Sequence, residues 1–237
     1  MIDIHCHVLP FVDYDGPQTL EDSLEMLECA RREGINVIVA TPHVVTADLP
    51  TKMEEVKDAL LVLRENARNR NVGIELRLGA EVYIGPDLYE FVKFNPVLLE
   101  GPERCVLVEF PMYDIPPHAQ PQLVSLASEG ITPVLAHPER NLKVIRDPDV
   151  LYPLSRAGVL FQINSGSLLG SFGKEVRRTA NSLVSSGLCH FVASDAHNSG
   201  SRGFSAREAR AAIEKIAGAA QARTIFEDNP NKLLGVE

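Results

Sequence analysis

The chain has 237 residues, 45% of them hydrophobic and 23% charged, which is enough for one sizeable core and ordinary for a folded domain. Its formal charge of −9 argues against a nucleic-acid surface, which needs clustered Lys and Arg. No apolar run approaches the about 18 residues of a membrane span, so no membrane insertion is expected. The first strand candidate begins at Met1-Ile2, which leaves no room for a signal peptide; a cytoplasmic location follows, with Cys6, Cys29, Cys105 and Cys189 as free thiols.

Seven short runs read as strands: Ile2 to His5, Val37 to Ala40, Ile74 to Glu81, Val106 to Glu109, Thr132 to Ala136, Leu160 to Ile163 and Phe191 to Ser194. Between them lie helical patterns. Thr19 to Glu33 spaces Leu20, Leu24 and Leu27 on one face, and Met53 to Arg70 repeats Val56, Leu60, Leu63 and Ala67. Further helices are expected at 118–129, 147–157, 173–187, 205–218 and 220–227, with Gly34, Gly130, Gly158 and Gly187 as stops. Strand-helix alternation predicts a parallel sheet with right-handed crossovers. Ligand-type residues on both the first and last strands require the sheet ends to meet, as they do in a barrel.

Those residues recur at the ends of the runs. His5 and His7 flank Cys6, and Asp195 and His197 flank Ala196, so each pair projects to one side of an extended strand. His43, Glu81, Glu109 and His137 follow or close other runs. Such groups fall at strand carboxyl ends, the face where barrel enzymes keep their chemistry. Buried carboxylates there need a cation or partner. Imidazole and carboxylate donors suit Mn²⁺, Fe²⁺ or Zn²⁺, and eight or nine candidates point to three divalent ions rather than two. Three ions would leave a holo charge of roughly −3. Arg140 and Arg202 each follow a ligand histidine closely, and a guanidinium suits phosphate oxygens. His118, at a helix start, and His190, at the opposite end of a strand, are expected to be structural. A thiol phosphatase needs Arg at the sixth position after its cysteine; here those positions hold Val12, Ile35, Pro111 and Asp195.

The ordered set Ile2-Asp3-Ile4-His5-Cys6-His7-Val8-Leu9-Pro10, Ala40-Thr41-Pro42-His43, Ala136-His137-Pro138-Glu139-Arg140, Gln162 to Leu168, Ala193-Ser194-Asp195-Ala196-His197-Asn198 and Asn229-Pro230 with Leu233-Leu234 resembles the polymerase and histidinol phosphatase (PHP) superfamily. The match is closest to the bacterial metal-dependent tyrosine phosphatases of capsular and exopolysaccharide synthesis and covers essentially the whole chain. The resemblance implies one PHP-type domain over 1–237, a distorted seven-stranded (β/α)7 barrel, and three divalent ions, usually manganese. It implies hydrolysis of phosphotyrosine on a protein, the bacterial tyrosine autokinase, by a metal-activated hydroxide without a phosphoenzyme; a homo-oligomer is compatible with it. Carried over by position, His5, His7 and Asp195 hold one metal and Glu81 bridges to a second. Glu109 and His137 complete that second site, and His43, His197 and an aspartate of Asp13-Tyr14-Asp15-Gly16 hold the third. Arg140 and Arg202 match the phosphate-binding arginines.

The family usually has adjacent Asp-Asp-Gly in that turn, so the inserted Tyr14 leaves Asp13 or Asp15 as the ligand; Asp15 keeps the register with Gly16. The loop after His43, Val44 to Pro50, lacks basic and aromatic residues, and the short 44–52 stretch favours an open mouth. Tyr113 and Phe172 are candidates for shaping the entrance. Rival functions are a small-molecule phosphatase of the histidinol-phosphate kind, a catalytically silent binding module, and an exonuclease that the acidic surface disfavours.

Overall fold

The computed structural model describes residues 1–45, 49–95 and 97–236, and of residues 49–52 the backbone alone. Part of the 44–52 loop, residues 46–48, therefore lies outside the described residues. Among the described residues, nine parallel strands form two sheets: β1 (Ile2–Cys6), β2 (Val37–Ala40) and β4 (Glu75–Leu78) in the order β1-β2-β4, and β3 (His43–Val44), β5 (Glu81–Tyr83), β6 (Cys105–Glu109), β7 (Thr132–Ala136), β8 (Leu160–Asn164) and β9 (Phe191–Ala193) in sequence order. Beyond β9, Asp195 N donates to His5 O at 2.9 Å, and His7 N donates to Ala196 O at 2.9 Å, so the last strand's continuation joins the first.

One of the seven expected strands, Ile74 to Glu81, is broken in two, and the expected Val37 to Ala40 strand is followed by a short extra one. Pro42, with no N–H to donate, separates β2 from β3. Gly79 separates β4 from β5, and a Cβ there would lie 2.7 Å from Leu99 Cδ2 and 2.9 Å from Val39 Cγ1, so only glycine fits. The breaks let His43 and Glu81 start new segments paired in register with each other.

The helices are α1 (Leu20–Arg32), α2 (Leu49–Asn69), α3 (Leu88–Phe94), α4 (Ala119–Ser128), α5 (Leu142–Arg146), α6 (Tyr152–Arg156), α7 (Ser165–Leu169), α8 (Lys174–Ser185), α9 (Ala206–Ala217), α10 (Ala219–Arg223) and α11 (Asn229–Leu234). Thr19 caps α1 by accepting from Asp22 N, and Gly34 ends it at φ 80°. The expected 147–157 helix is a 3₁₀ turn at Pro148–Leu151 followed by α6, because Pro148 and Pro153 interrupt it. The 220–227 helix is α10 running into a π turn at Thr224–Asp228 and then α11. Among the described residues no helix is long and apolar enough to cross a membrane.

Side-chain alternation divides the strands into two faces. One packs a large apolar cluster against the helices, including Ile38, Val106, Leu135, Phe161 and Val192; the other encloses a smaller cluster of Ile4, Val39, Leu107, Val134 and Phe191. Following the second face toward the carboxyl ends, apolar residues give way to polar ones: Cys105-Leu107-Glu109, Leu160-Gln162-Asn164, and Phe191-Ala193 then Asp195. In β1 the pairing shifts by a residue between Asp3 and Cys6, so Asp3 meets Ile38 and Cys6 meets Ala40. This bulge re-aims the strand so that Ile4, His5 and then His7 all serve the same face. Asp3 pins it, its Oδ1 accepting from His5 N at 3.2 Å and Ser194 N at 3.1 Å.

Candidate metal centre

The expected ligands lie at or beyond the carboxyl ends of β1, β2, β4, β6, β7 and β9. His5 lies in β1 and His7 just past it; His43 opens β3, Glu81 opens β5, and Glu109 closes β6. His137 immediately follows β7 and Asp195 lies two residues past β9, at φ 30° and 52°. Left-handed backbone at a non-glycine residue is costly, and here it turns each side chain inward at the point where the strand ends.

Glu81 sits at the centre. Its carboxylate oxygens lie 2.9 Å from His137 Nε2, 2.9 Å from His43 Nδ1, and 3.4 Å from both His5 Nε2 and His7 Nε2. Asp195 Oδ1 is 3.6 Å from His5 Nε2 and 3.5 Å from His7 Nε2. Glu109 Oε1 is 3.8 Å from His137 Nε2. Asp15 places Oδ2 3.4 Å from His197 Nε2 and Oδ1 3.9 Å from His43 Nε2. Three ligand groups converge tightly, His5-His7-Glu81, His7-His43-His197 and His43-Glu81-Glu109. They overlap at His7, His43 and Glu81, so the donors form one continuous cluster rather than three separate cages.

The two aspartates of the inserted turn divide their work. Asp15 faces the cluster, whereas Asp13 stands behind it, with Oδ2 3.0 Å from His7 Nδ1 and Oδ1 accepting from His43 N at 3.0 Å. Other supports were not among the expected site residues. His5 Nδ1 meets Gln162 Oε1 at 2.8 Å, and His197 Nδ1 donates to Asp195 O at 2.9 Å. Glu139 Oε1 accepts from Asn164 N at 3.0 Å and Ser167 Oγ at 2.6 Å. The signals for Gln162 and Asn164 in the sequence are the spacing of two amides by two residues at the end of an apolar run and their place in the Gln162 to Leu168 motif.

These contacts test whether a cation fits. Gln162, Asp13 and the Asp195 carbonyl offer acceptors to the Nδ1 atoms of His5, His7 and His197, so the neutral rings carry N–H there and a lone pair on Nε2. His5 Nε2 and His7 Nε2 then face each other at 3.1 Å. Two lone pairs at that distance repel unless a proton or a metal cation lies between or beside them. Asp15 Oδ1 is also buried without a hydrogen-bond donor among the described residues, and Glu81 Oε2 is buried with His43 Nδ1 at 2.9 Å. Lone pairs and carboxylate oxygens aimed at one volume are what a divalent-ion site presents.

Protonation follows the same arrangement. Burial opposes charge on His7, but Asp13 and Glu81 outweigh it and raise the imidazole to about 10. At His137 burial is likewise overcome, chiefly by Glu81, to about 9. Glu81 is held well below the ordinary carboxylate range: burial works the other way, but the surrounding histidines prevail. Burial, and then the Glu81 charge, push Glu109 up. Burial and the neighbouring His7 lower His197 to about 3.

The cluster floors a cleft of about 680 Å³ whose wall includes Arg140 and Arg202. Arg140 NH1 donates to Asp195 Oδ2 at 2.8 Å, and its guanidinium lies 4.4 Å above the Phe172 ring, so Phe172 backs this arginine. Arg202 donates through NH1 to Asp15 Oδ2 at 2.8 Å and through NH2 to His197 Nε2 at 2.9 Å. Tyr14 stands on the cleft wall 90% exposed, and Tyr113 is also exposed. His118 begins α4, and half-buried His190 accepts from Phe161 N at 3.0 Å; neither meets the cluster. Cys6, Cys105 and Cys189 are buried, with Cys6 on the face opposite the ligands.

Fold and site together define a parallel α/β protein with a cluster of candidate metal ligands at one end of its strands. The sequence matches the family described as capsular polysaccharide synthesis, CpsB/CapC, over residues 1–235, and the chain belongs to that family. The tyrosine-protein phosphatase YwqE of Bacillus subtilis is 38% identical over 215 residues, covering 91% of this chain and 84% of the relative. The tyrosine-protein phosphatase CpsB of Streptococcus pneumoniae is 32% identical over 239 residues, covering 99% of this chain and 98% of the relative. A crystal structure from work on YwqE and CpsB, described as unique metal-dependent tyrosine phosphatases, aligns at a TM-score of 0.90 and 36% identity over 98% of this chain and 94% of that one. A phosphotriesterase homology protein from Escherichia coli, solved with phosphate in its active site, aligns at a TM-score of 0.58 and 11% identity over 98% of this chain and 97% of that one, a likeness of fold alone.

Proposed function

We propose that the chain is a metal-dependent protein-tyrosine phosphatase of capsular or exopolysaccharide synthesis, acting in the cytoplasm on a phosphotyrosine protein such as a tyrosine autokinase. One observation carries this reading: imidazoles and carboxylates surround Glu81 on the floor of a cleft whose wall carries two arginines. In this reading residues 1–237 are one domain, and its strands form a distorted seven-stranded barrel when β2 with β3 and β4 with β5 are each counted once. The hydrogen bonds joining His5 and His7 to 195–196 support that closure.

The donor set fits three divalent ions, manganese first, with iron or zinc as alternatives. His5, His7 and Asp195 would hold one, with Glu81 bridging to a second completed by Glu109 and His137; His43, His197 and Asp15 would hold the third. When bound, such ions lower the pKa of water toward neutrality and offset charge on the phosphoryl oxygens. Arg140, pinned by Asp195 and Phe172, keeps further N–H donors for a phosphate oxygen. Arg202 turns from His197 Nε2 to the phosphate, freeing that nitrogen for a ligand role. Hydrolysis is then a single in-line displacement with no phosphoenzyme, consistent with the burial of Cys6 and Cys189 in the cluster packed against the helices and of Cys105 at the amino end of β6, opposite the end that carries Glu109.

The test compares turnover of a phosphotyrosine peptide with turnover of histidinol phosphate by manganese-loaded protein. Preference for the peptide supports the proposal. Preference for histidinol phosphate would make this a small-molecule phosphatase, and bound metal with no turnover of either would make it a binding module.

A further inference from the structure

Strand β8 supplies no ligand, yet it lies between β7, which leads into His137, and β9, which leads into Asp195. Its inner face ends in two fully buried amides, Gln162 and Asn164. Side-chain amides at such depth require complete hydrogen bonding, and these two obtain it from each other and from the ligands. Asn164 Nδ2 donates to Asp195 Oδ2 at 2.7 Å, Gln162 Nε2 donates to Asn164 Oδ1 at 2.8 Å, and Gln162 Oε1 faces His5 Nδ1 at 2.8 Å.

The direction of this chain is forced from one end. An ionised carboxylate only accepts, so Asn164 must turn its NH₂ to Asp195 and its oxygen to Gln162. That oxygen needs a donor, so Gln162 turns its NH₂ to Asn164 and its oxygen to His5. His5 must then carry its proton on Nδ1. The neutral ring is left with its lone pair on Nε2, which faces His7 Nε2 at 3.1 Å and Asp195 Oδ1 at 3.6 Å. Asp195 is therefore engaged twice, its Oδ2 setting the polarity of the amides and its Oδ1 meeting the histidine whose tautomer that polarity fixes. The backbone of Asn164 is held independently, its N–H donating to buried Glu139 Oε1 at 3.0 Å.

We propose that Gln162 and Asn164 are positioning residues, a two-amide relay that transmits the orientation of Asp195 to His5 and fixes the tautomer a metal requires. This rests on the metal-centre reading above and adds to it a task for the strand without ligands. A flipped or missing amide would allow His5 to protonate Nε2, and a cation would then have to displace that proton and reorganise the ring before binding.

The experiment has two arms. In metal-free protein labelled with ¹⁵N-histidine, NMR reads which nitrogen of neutral His5 bears the proton. The relay predicts Nδ1–H in the wild type and a mixture of tautomers in Gln162→Met; neutral His5 with Nε2–H in the wild type would overturn it. Mn²⁺ binding by electron paramagnetic resonance forms the second arm. Gln162→Met and Asn164→Leu should each weaken the Mn²⁺ Kd by about 10–100-fold, the usual effect of losing an outer support of a ligand. Because both break one chain, the double variant should be no worse than about threefold beyond the poorer single. Ile163→Val, a buried change on the opposite face of β8, should leave the Kd within about twofold, so that general loosening of the strand is distinguished from loss of the relay. Single variants that bind Mn²⁺ like the wild type, or penalties that simply multiply, would overturn the relay while leaving the metal centre standing. A wild type that binds no Mn²⁺ would instead overturn the metal centre itself, with the tautomer arm still reading the relay.

Discussion

Two histidines at opposite ends of the strands show how position decides what an imidazole does. His190 precedes β9, its Nδ1 accepts from Phe161 N, and its ring lies beside Phe161; burial alone acts on it and lowers its pKa. His7, past the carboxyl end of β1, is more deeply buried, yet Asp13 and Glu81 raise it to about 10. Burial by itself removes a proton from an imidazole, whereas burial among carboxylates retains one. The first end of the molecule is a neutral, satisfied core. The second holds an excess of negative donors that protons neutralise when no cation does.

The sharpest way to break this contrast is to remove its central carboxylate. Glu81→Ala takes away the group touching four histidines, and Mn²⁺ affinity should fall by more than about 100-fold, beyond the range for outer supports. Metal analysis and phosphotyrosine turnover check this together, and near-normal metal content would contradict the central place given to Glu81. Arg140→Ala should keep the metal and lower kcat/KM by about 10–100-fold, the equivalent of one charged hydrogen bond of about 1.5–3 kcal/mol. Arg140→Lys should recover little of this, because the ammonium cannot reproduce the planar stack on Phe172.

The pH dependence sharpens the same contrast. His7 and His137 are raised to about 10 and about 9, so at neutral pH the metal-free protein holds protons on both. Ligation needs neutral rings, so Mn²⁺ binding should release protons, and apparent affinity should rise with pH up to about 10. Calorimetry in buffers of different ionisation heat measures the release; none at neutral pH would contradict these assignments. For stability the sign is opposite. Folded-state values above the unfolded value of about 6.5 stabilise the metal-free protein fully below that pH, and the contribution disappears as pH rises through about 9 to 10. Melting curves of metal-free protein across this range check the loss. The smallest effect belongs to the other end: His190→Ala should cost about 1 kcal/mol for its hydrogen bond in chemical unfolding and leave Mn²⁺ affinity unchanged.

What could be read from the sequence follows the same division. His5, His7, Glu109, Asp195 and His197 were legible because strand alternation and strand-end position carry over directly from spacing. The bulge that puts Ile4 and His5 on one face was not, since nothing in Ile2-Asp3-Ile4-His5 differs from regular alternation until Asp3 is seen holding His5 N and Ser194 N. The left-handed backbone at His137 and Asp195 carries only a weak residue-type signal, because histidine and aspartate enter that region more often than most side chains but far less readily than glycine. Tyr14 left two aspartates open, and only the folded turn places Asp15 toward the cluster and Asp13 behind His7. Gln162 and Asn164 were visible as a motif, but their task lies in contacts to β1 and to Asp195 that spacing alone does not disclose. The main helices matched their periodicity. The short α3, α5 and α7 did not announce themselves, because helices of one or two turns are held by tertiary packing rather than by propensity.

The measurement closest to the central claim is phosphotyrosine peptide hydrolysis by metal-stripped protein with Mn²⁺ added back, run beside His137→Ala. The account predicts that the stripped wild type is inactive, that manganese restores turnover, and that the variant stays below about 1% of the restored rate, as loss of a direct ligand should exceed the about 100-fold limit for outer supports. Full hydrolysis by the stripped protein, or full activity in His137→Ala, would contradict it.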